Sequence, residues 1–344
     1  MRYVIVGGGI AGTTAAEELR KADAEAEITI IGQEEHSCYS RVLLPHYVKG
    51  VTTRDKVFVK QDAWYLAQRI EYLRGTLVTA IDTKNKFVAI HTGREIEYDK
   101  LLLAIGGELN LAAGDVRGVC YLSTLEDADG ILARMREVRL LPKDEQRAVV
   151  QGGGFIALEF INIFAHFGLP TTVLLRGDGF WSRTLSAHAK AVLAAHATAH
   201  GVTLITGQDG AVPIGTDEVK HVVLHDGAQI PAAIMGVGLG IHPDTALLAA
   251  SGVDVNRGVC ANAFLETSVP DVYTAGDATE FDHPVLGRRL QVGNWFNAQM
   301  QARAVAKTMR GERTEYALVT SYATQLLGLH IVFAGDTNHE YADE

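Results

Sequence analysis

Short apolar runs that stop at glycine, each followed by a longer helix-like run, set the rhythm of this chain. Val4-Ile5-Val6 leads into Gly7-Gly8-Gly9, a helical run follows at 10–21, and residues 27–31 return to an apolar strand pattern. The same order recurs at 147–151, 155–167 and 171–175. Strand, helix and strand at this spacing read as a βαβ unit with parallel strands. Leu101-Leu102-Leu103-Ala104-Ile105 is apolar throughout and ends at Gly106-Gly107, as a strand buried on both faces should be. Residues 234–239 close the second unit in the same way. Alternating runs at 77–81 and 87–91, with Lys84-Asn85 and Thr92-Gly93 as turns, predict an antiparallel hairpin. The stretch 219–224, followed by Asp226-Gly227, repeats that hairpin, so the chain reads as a pseudo-repeat. Residues 58–65 look like the start of a helix. Val272-Tyr273-Thr274-Ala275-Gly276-Asp277 is one further strand with no unit of its own, and it is expected to return to the first sheet.

The glycines at the two strand ends carry a chemistry. Gly7, Gly9 and Gly12 form Gly-x-Gly-x-x-Gly, with Ile10 and Ala11 opening the helix; Gly152, Gly154 and Ala157 form the second copy, with Phe155 and Ile156 opening its helix. In this fingerprint one glycine makes the tight turn, the next admits a pyrophosphate to the backbone, and the last packs the helix against the strand. Two copies, each between a strand and a helix, imply two dinucleotides. Glu34 and Glu35 follow the second strand of the first unit, where an acidic side chain accepts hydrogen bonds from ribose hydroxyls.

Composition removes other classes. The 344 residues suggest two domains or slightly more, and 47% apolar content with 35 glycines suits a turn-rich α/β enzyme. The net charge of −10 is spread along the chain without a basic stripe, which argues against nucleic acid as a partner. Met1 leads directly into the first strand and no apolar run reaches the length of a membrane span, so a cytoplasmic protein with no signal peptide and no membrane partner is expected. Cys38, Cys120 and Cys260 are far apart and odd in number, against a disulfide scaffold and a zinc site. His188, His196 and His200 share an alanine-rich helical run, yet no carboxylate or thiolate lies near them in sequence, and no metal is expected.

On these residues the chain resembles the two-dinucleotide-binding-domain flavoprotein reductases of the pyridine nucleotide-disulfide oxidoreductase superfamily. Gly7 to Gly12 matches their FAD pyrophosphate turn, Gly152 to Glu159 their nicotinamide nucleotide turn, and Thr274-Ala275-Gly276-Asp277 their flavin ribityl motif. Tyr39-Ser40-Arg41-Val42-Leu43-Leu44 is similar to the flavin-edge segment of nitrite reductase large subunits and rubredoxin reductases, and Asn294-Trp295-Phe296-Asn297-Ala298-Gln299 to the start of the helix aimed at the isoalloxazine in that branch. The resemblance implies an α/β fold of two Rossmann-like domains, with FAD held by 1–112 and 253–312, NAD(P)H by an inserted 113–252, and a short C-terminal interface segment at 313–344. Residues 326–336 resemble that segment's opening strand, and a homodimer is left open.

The resemblance further implies that Arg41, Ala104, Gly106, Gly276 and Asp277 contact FAD, that Trp295 lies beside the flavin, and that Glu159 tunes the reacting rings. In relatives a lysine stands near the flavin; here His46 and Lys49 both remain candidates to face Glu159. Arg176 and Arg183, after the second strand of the second unit, match the 2′-phosphate pattern of NADP-dependent relatives, with Asp178 opposing, so NADPH is favoured over NADH. The family's single-thiol position falls on Val42, and Cys38 lies four residues too early. The implied function is an FAD-dependent NAD(P)H oxidoreductase that serves a small redox protein (rubredoxin, ferredoxin or a nitrite-reducing module) or a small acceptor, without a redox-active cysteine pair. A low-turnover redox sensor and a single-cysteine NADH oxidase or coenzyme A disulfide reductase are the alternatives.

Overall fold

The computed structural model describes residues 1–114 and 116–335, and of Thr245 the backbone only. The chain forms two compact units. The first comprises 1–40, 58–108 and 242–320; the second comprises 41–57, 109–241 and 321–344. Residues 41–57, which the sequence reading leaves in the first domain, thus cluster with the second unit.

The first unit is built on a five-stranded parallel sheet in the order Val272–Thr274, Lys100–Leu103, Arg2–Val6, Glu27–Ile31 and Ile70–Leu73. Arg2–Val6 pairs in register with both neighbours, so it is central and carries apolar residues on both faces. Its alternate residues go to opposite sides. Tyr3 and Ile5 pack with Ala15, Ala16 and Leu19 of the Ile10–Ala22 helix and with Ala302 and Val305 of the Trp295–Met309 helix. Val4 and Val6 pack instead with Val88 and Ile90 of a three-stranded antiparallel sheet, Val78–Asp82, Phe87–Ile90 and Glu95–Glu97. The hairpin expected at 77–91 is there, and it covers the sheet face opposite those two helices. The last strand, Val272–Thr274, returns to the first sheet as expected, parallel to Lys100–Leu103.

In the second unit the parallel order is Val202–Ile205, Thr171–Leu174, Ala148–Gln151, Ile234–Val237 and Val119–Cys120. One face carries the Phe155–His166 helix; the Phe160 ring lies so close over Gly236 that a Cβ there would come within 2.4 Å of it. The other face packs Val149, Met235 and Val237 against Val222 of a second antiparallel sheet, Val212–Ile214, His221–Val223 and Gln229–Pro231, and against Val219 and Leu224 beside its middle strand. The two halves therefore share a design: parallel sheet, helices on one side, small antiparallel sheet on the other.

Two local expectations change. The helix foreseen at 58–65 is Asp62–Ala67, because Phe58 forms a bridge with Tyr39 and Val59 N–H donates to Cys38 O at 2.8 Å, which keeps 58–61 out of the helix. The run at 326–336 is not one strand but part of a hairpin, Ser321–Leu326 and Leu329–Ala334. Leu327 and Gly328 at φ +50° and +88° make the turn, the two-residue form with both central residues left-handed. Asp336 lies outside the described residues. Buried Asn162 fixes this hairpin to the second unit: its Nδ2 donates to Gln325 O and its Oδ1 accepts from Leu327 N–H, both at 2.8 Å.

An ion-pair network ties the segments that flank the second antiparallel sheet to the Leu125–Val138 helix. Buried Arg134 donates to Ala233 O at 2.6 Å and to Glu218 at 2.6 Å, and Glu218 also accepts from Lys220 at 2.6 Å. Hydrogen bonds from Lys220 and then Arg134 hold the Glu218 carboxyl down to about 2, from an ordinary 4.5. A depressed carboxyl adds stability that is complete above its unfolded value and is lost as pH falls through the folded one. Glu218→Gln should therefore lower the thermal midpoint at pH 7 and flatten its decline between pH 4.5 and 2, read by calorimetry across that range. An unchanged acid slope in the variant would show that the network does not titrate as described.

Candidate functional site

Each unit carries one phosphate-type turn, and both are built alike. Gly7 adopts φ +116°, and a Cβ on it would fall 2.0 Å from Ala104 O at the end of the neighbouring strand. Gly152 adopts φ +123°, and its Cβ would fall 2.2 Å from Gly238 O. No side chain fits at either place, so the strand ends close together and the turn stays tight. The third residue of each turn behaves differently. A Cβ on Gly9 would meet nothing within 4 Å, and one on Gly154 would meet only Trp181 Nε1, at 4.0 Å. Those glycines face open space beside the first backbone N–H groups of a helix, the cradle a pyrophosphate needs. Gly12 completes the first turn, its Cβ position only 1.9 Å from Gly7 O.

In the first unit the structure gathers most of the expected FAD residues. Ile10 and Ala11 open the helix capped by Gly9, and Ala104 lies against Gly7. Gly106, at φ +66°, follows Ala104 past the strand end. Gly276, at φ +92°, is close to Ala11, since its Cβ would stand 3.2 Å from that of Ala11. Asp277 is half-buried beside Gly293, and Gln291 Nε2 donates to its carbonyl at 2.9 Å. Trp295, half-buried, begins the helix capped by Asn294, whose side chain accepts from Asn297 N–H at 2.7 Å. Glu34 accepts a hydrogen bond from the Tyr39 hydroxyl, and exposed Glu35 lies against Gly75. Arg41 falls in the second unit, where it is exposed and donates to the Ser123 carbonyl.

In the second unit Phe155 and Ile156 open the helix after Gly154, and Glu159 is on the same helix. Burial pushes the Glu159 carboxyl up, and the Lys49 ammonium opposes that shift. Of the two candidates, Lys49 is thus the cation that acts on Glu159; His46 instead keeps Nδ1 buried without a partner. Arg176 and Arg183 are both exposed and make no ion pair among the described residues, while Asp178 is held by Lys190 at 2.6 Å. His196 and His200 stack at 4.2 Å; His196 Nε2 meets Leu327 O at 3.3 Å, and His200 Nδ1 meets His196 O at 2.8 Å.

Two residues of the first site escape sequence reasoning. Gln301, fully buried, accepts from Gly276 N–H at 2.8 Å and so fixes the turn before Asp277. Tyr72 fills the space that Gly8 and Gly32 leave, its hydroxyl oxygen 1.8 Å from where a Gly8 Cβ would be. Neither is part of a motif, and both act on backbone that comes from far away in sequence.

The fold and the paired turns define a two-dinucleotide α/β protein. The chain belongs to the pyridine nucleotide-disulphide oxidoreductase family, whose model matches residues 1–302. FAD and a pyridine nucleotide are the cofactors of that family's reductases. The chain is 31% identical over 343 residues to a nitrite reductase [NAD(P)H] of Bacillus subtilis, covering 98% of this chain and 41% of that one. It is also 31% identical over 326 residues to putidaredoxin reductase of Pseudomonas putida, covering 90% of this chain and 74% of that protein. A crystal structure of the covalent putidaredoxin reductase–putidaredoxin complex matches with a TM-score of 0.89 and 28% identity over 97% of this chain and 81% of the other. The chain thus spans under half of the nitrite reductase and most of the putidaredoxin reductase. No helix among the described residues is long and apolar enough to cross a membrane.

The open side of Gly9 gives a clean test. Its φ of −72° and ψ of −166° suit any L-residue, so Gly9→Val should fold with an unchanged thermal midpoint of the apoprotein. The added methyls would occupy only the ligand's space, and the purified variant should lose its yellow colour. Full FAD occupancy in Gly9→Val would remove this turn from the cofactor site.

Proposed function

We propose that the chain is an FAD-dependent NAD(P)H reductase that delivers electrons to a small redox protein or a small acceptor without a redox-active cysteine pair. The reading is carried by one observation: two turns of the same construction, each with an open third glycine, in separate units of a single chain. Relatives named as ferredoxin and rubredoxin reductases, and a solved complex with putidaredoxin, support the class of acceptor. The cofactors supply hydride and single-electron chemistry that amino-acid side chains lack. The protein's part is to bind, orient and tune. Gly7 to Gly12, Gly276 and Asp277 hold the flavin nucleotide, and Gly152 to Ile156 hold the nicotinamide nucleotide. Glu159 supplies a half-buried carboxyl that burial pushes up and the Lys49 ammonium partly opposes.

NADPH is the better donor on this reading. Arg176 and Arg183 are uncommitted cations, and Asp178, the group that would repel a 2′-phosphate, is already neutralised by Lys190. One charge-assisted contact is worth about 1.5 to 3 kcal/mol, roughly tenfold or more in affinity. Stopped-flow reduction of the bound flavin should show NADPH preferred over NADH by about that factor, and Arg176→Ala should erase the preference. Equal efficiency with NADH would reject it. Rapid reduction by either donor also separates a reductase from a slow redox sensor.

Catalysis should not depend on cysteine. Cys38 is buried, its backbone N–H donating to the Tyr65 hydroxyl at 3.4 Å, and Val42 at the family's thiol position is 56% exposed. Cys38→Ser should keep turnover with an artificial acceptor within a few-fold. Glu159→Ala should slow flavin reduction by roughly tenfold or more. A Cys38→Ser protein with normal FAD content and no turnover would move the chain to the single-cysteine branch.

A further inference from the structure

Trp181 stands at the mouth of the second turn in a conformation that is costly to hold. Its φ is +42°, a left-handed backbone that a bulky aromatic residue avoids. The surroundings fix it there. Trp181 N–H donates to Gly153 O at 3.0 Å, inside the phosphate-type turn, and Trp181 O accepts from Thr184 N–H at 2.7 Å and Leu185 N–H at 3.0 Å. The ring is wedged between Phe155 and Phe333, at centroid distances of 5.0 and 5.1 Å. Phe333 is in turn stacked on Tyr322 across the C-terminal hairpin, at 5.2 Å and 14° between planes.

This arrangement leaves one polar atom uncommitted. The indole Nε1–H has no acceptor among the described residues and lies 4.0 Å from where a Gly154 Cβ would be, on the open side of that glycine. An indole N–H only donates, so a donor set at the edge of an anion cradle has one class of partner. Buried apolar packing alone would not require the strained backbone, since an indole reaches a neighbouring ring from ordinary φ values as well. In the conformation it holds, the polar edge of the ring lies beside the turn, 4.0 Å from the Gly154 Cβ position.

We propose that Trp181 is a nucleotide-contacting residue whose Nε1–H donates to a pyrophosphate oxygen of the nicotinamide dinucleotide, and that the C-terminal hairpin, through Phe333, holds the indole in place. The proposal rests on the second unit being the dinucleotide domain. It adds a side-chain donor to a turn that otherwise offers backbone N–H groups alone.

The test is direct binding of NADP+ to the FAD-loaded protein by titration calorimetry, with wild type, Trp181→Phe and Phe333→Ala in parallel. Trp181→Phe keeps the ring packing and removes the donor. It should bind NADP+ roughly tenfold more weakly, the scale of one hydrogen bond to a charged group, at unchanged FAD content and thermal midpoint. Phe333→Ala should weaken binding in the same direction. If wild type binds NADP+ and Trp181→Phe binds it equally well, Trp181 has no such role and the dinucleotide reading survives. If wild type binds neither NADP+ nor NAD+, that reading falls and takes Trp181 with it. Should Trp181→Phe fail to fold, the three tryptophan indole N–H resonances of the 15N-labelled wild-type protein decide. Assigned through Trp64→Phe and Trp295→Phe, the Trp181 signal should move on addition of NADP+, and a stationary signal would overturn the proposal.

Discussion

Both halves of this protein depend on the same steric fact: backbone meets backbone where no side chain can stand. At Gly7 and Gly152 a Cβ would lie 2.0 and 2.2 Å from a carbonyl oxygen of the adjacent strand end, far inside contact distance. With glycine there, each strand runs into its helix through a turn of minimum size, and the helix keeps its first N–H groups turned outward. A larger residue would push the strand ends apart, and the sheet and the cradle would be lost together. The fold and the binding turn are consequences of one constraint, which is why the fingerprint can be read from sequence.

Charge is arranged around these cradles with the same economy. The second unit places a carboxyl, Glu159, where burial disfavours its ionised form, and sets Lys49 to counter that cost. Asp178 and Lys190 neutralise one another at the next strand end, so that the field there is set by Arg176 and Arg183. The first unit uses a neutral group instead: the Gln301 amide, not an ion, fixes Gly276.

What the sequence made legible was whatever is local. The two βαβ units, the hairpin near 77–91 and the return of Val272–Thr274 to the first sheet follow from apolar period and glycine position, because neighbouring residues decide them. The misses are all non-local. Residues 58–61 look like the start of a helix, yet they stay outside it because Tyr39 and Cys38, about twenty positions earlier, offer them partners. The turn at Leu327 is hidden because leucine is not a turn residue, and the bonds from Asn162 and His196 to its backbone come from far along the chain. The placement of 41–57 with the second unit rests on side-chain pairs such as Tyr47 with Asp129, at 2.6 Å, that no motif announces.

The C-terminal hairpin shows how a short two-stranded element gains a fixed place. Two strands alone are marginally stable in water, so 321–334 needs a surface to fold upon. The second unit provides it twice over. At the turn end, Asn162 pairs with Gln325 and Leu327 as a third strand would, and Leu326 is fully buried. At the open end, Tyr322 and Phe333 face Phe155 and Trp181, the residues that border the glycine turn. Anything that binds at that turn and shifts Phe155 or Trp181 must also disturb the hairpin's aromatic contacts, and whatever holds the hairpin down holds those two rings. The segment least legible in the sequence is therefore coupled through packed rings to the motif that was most legible.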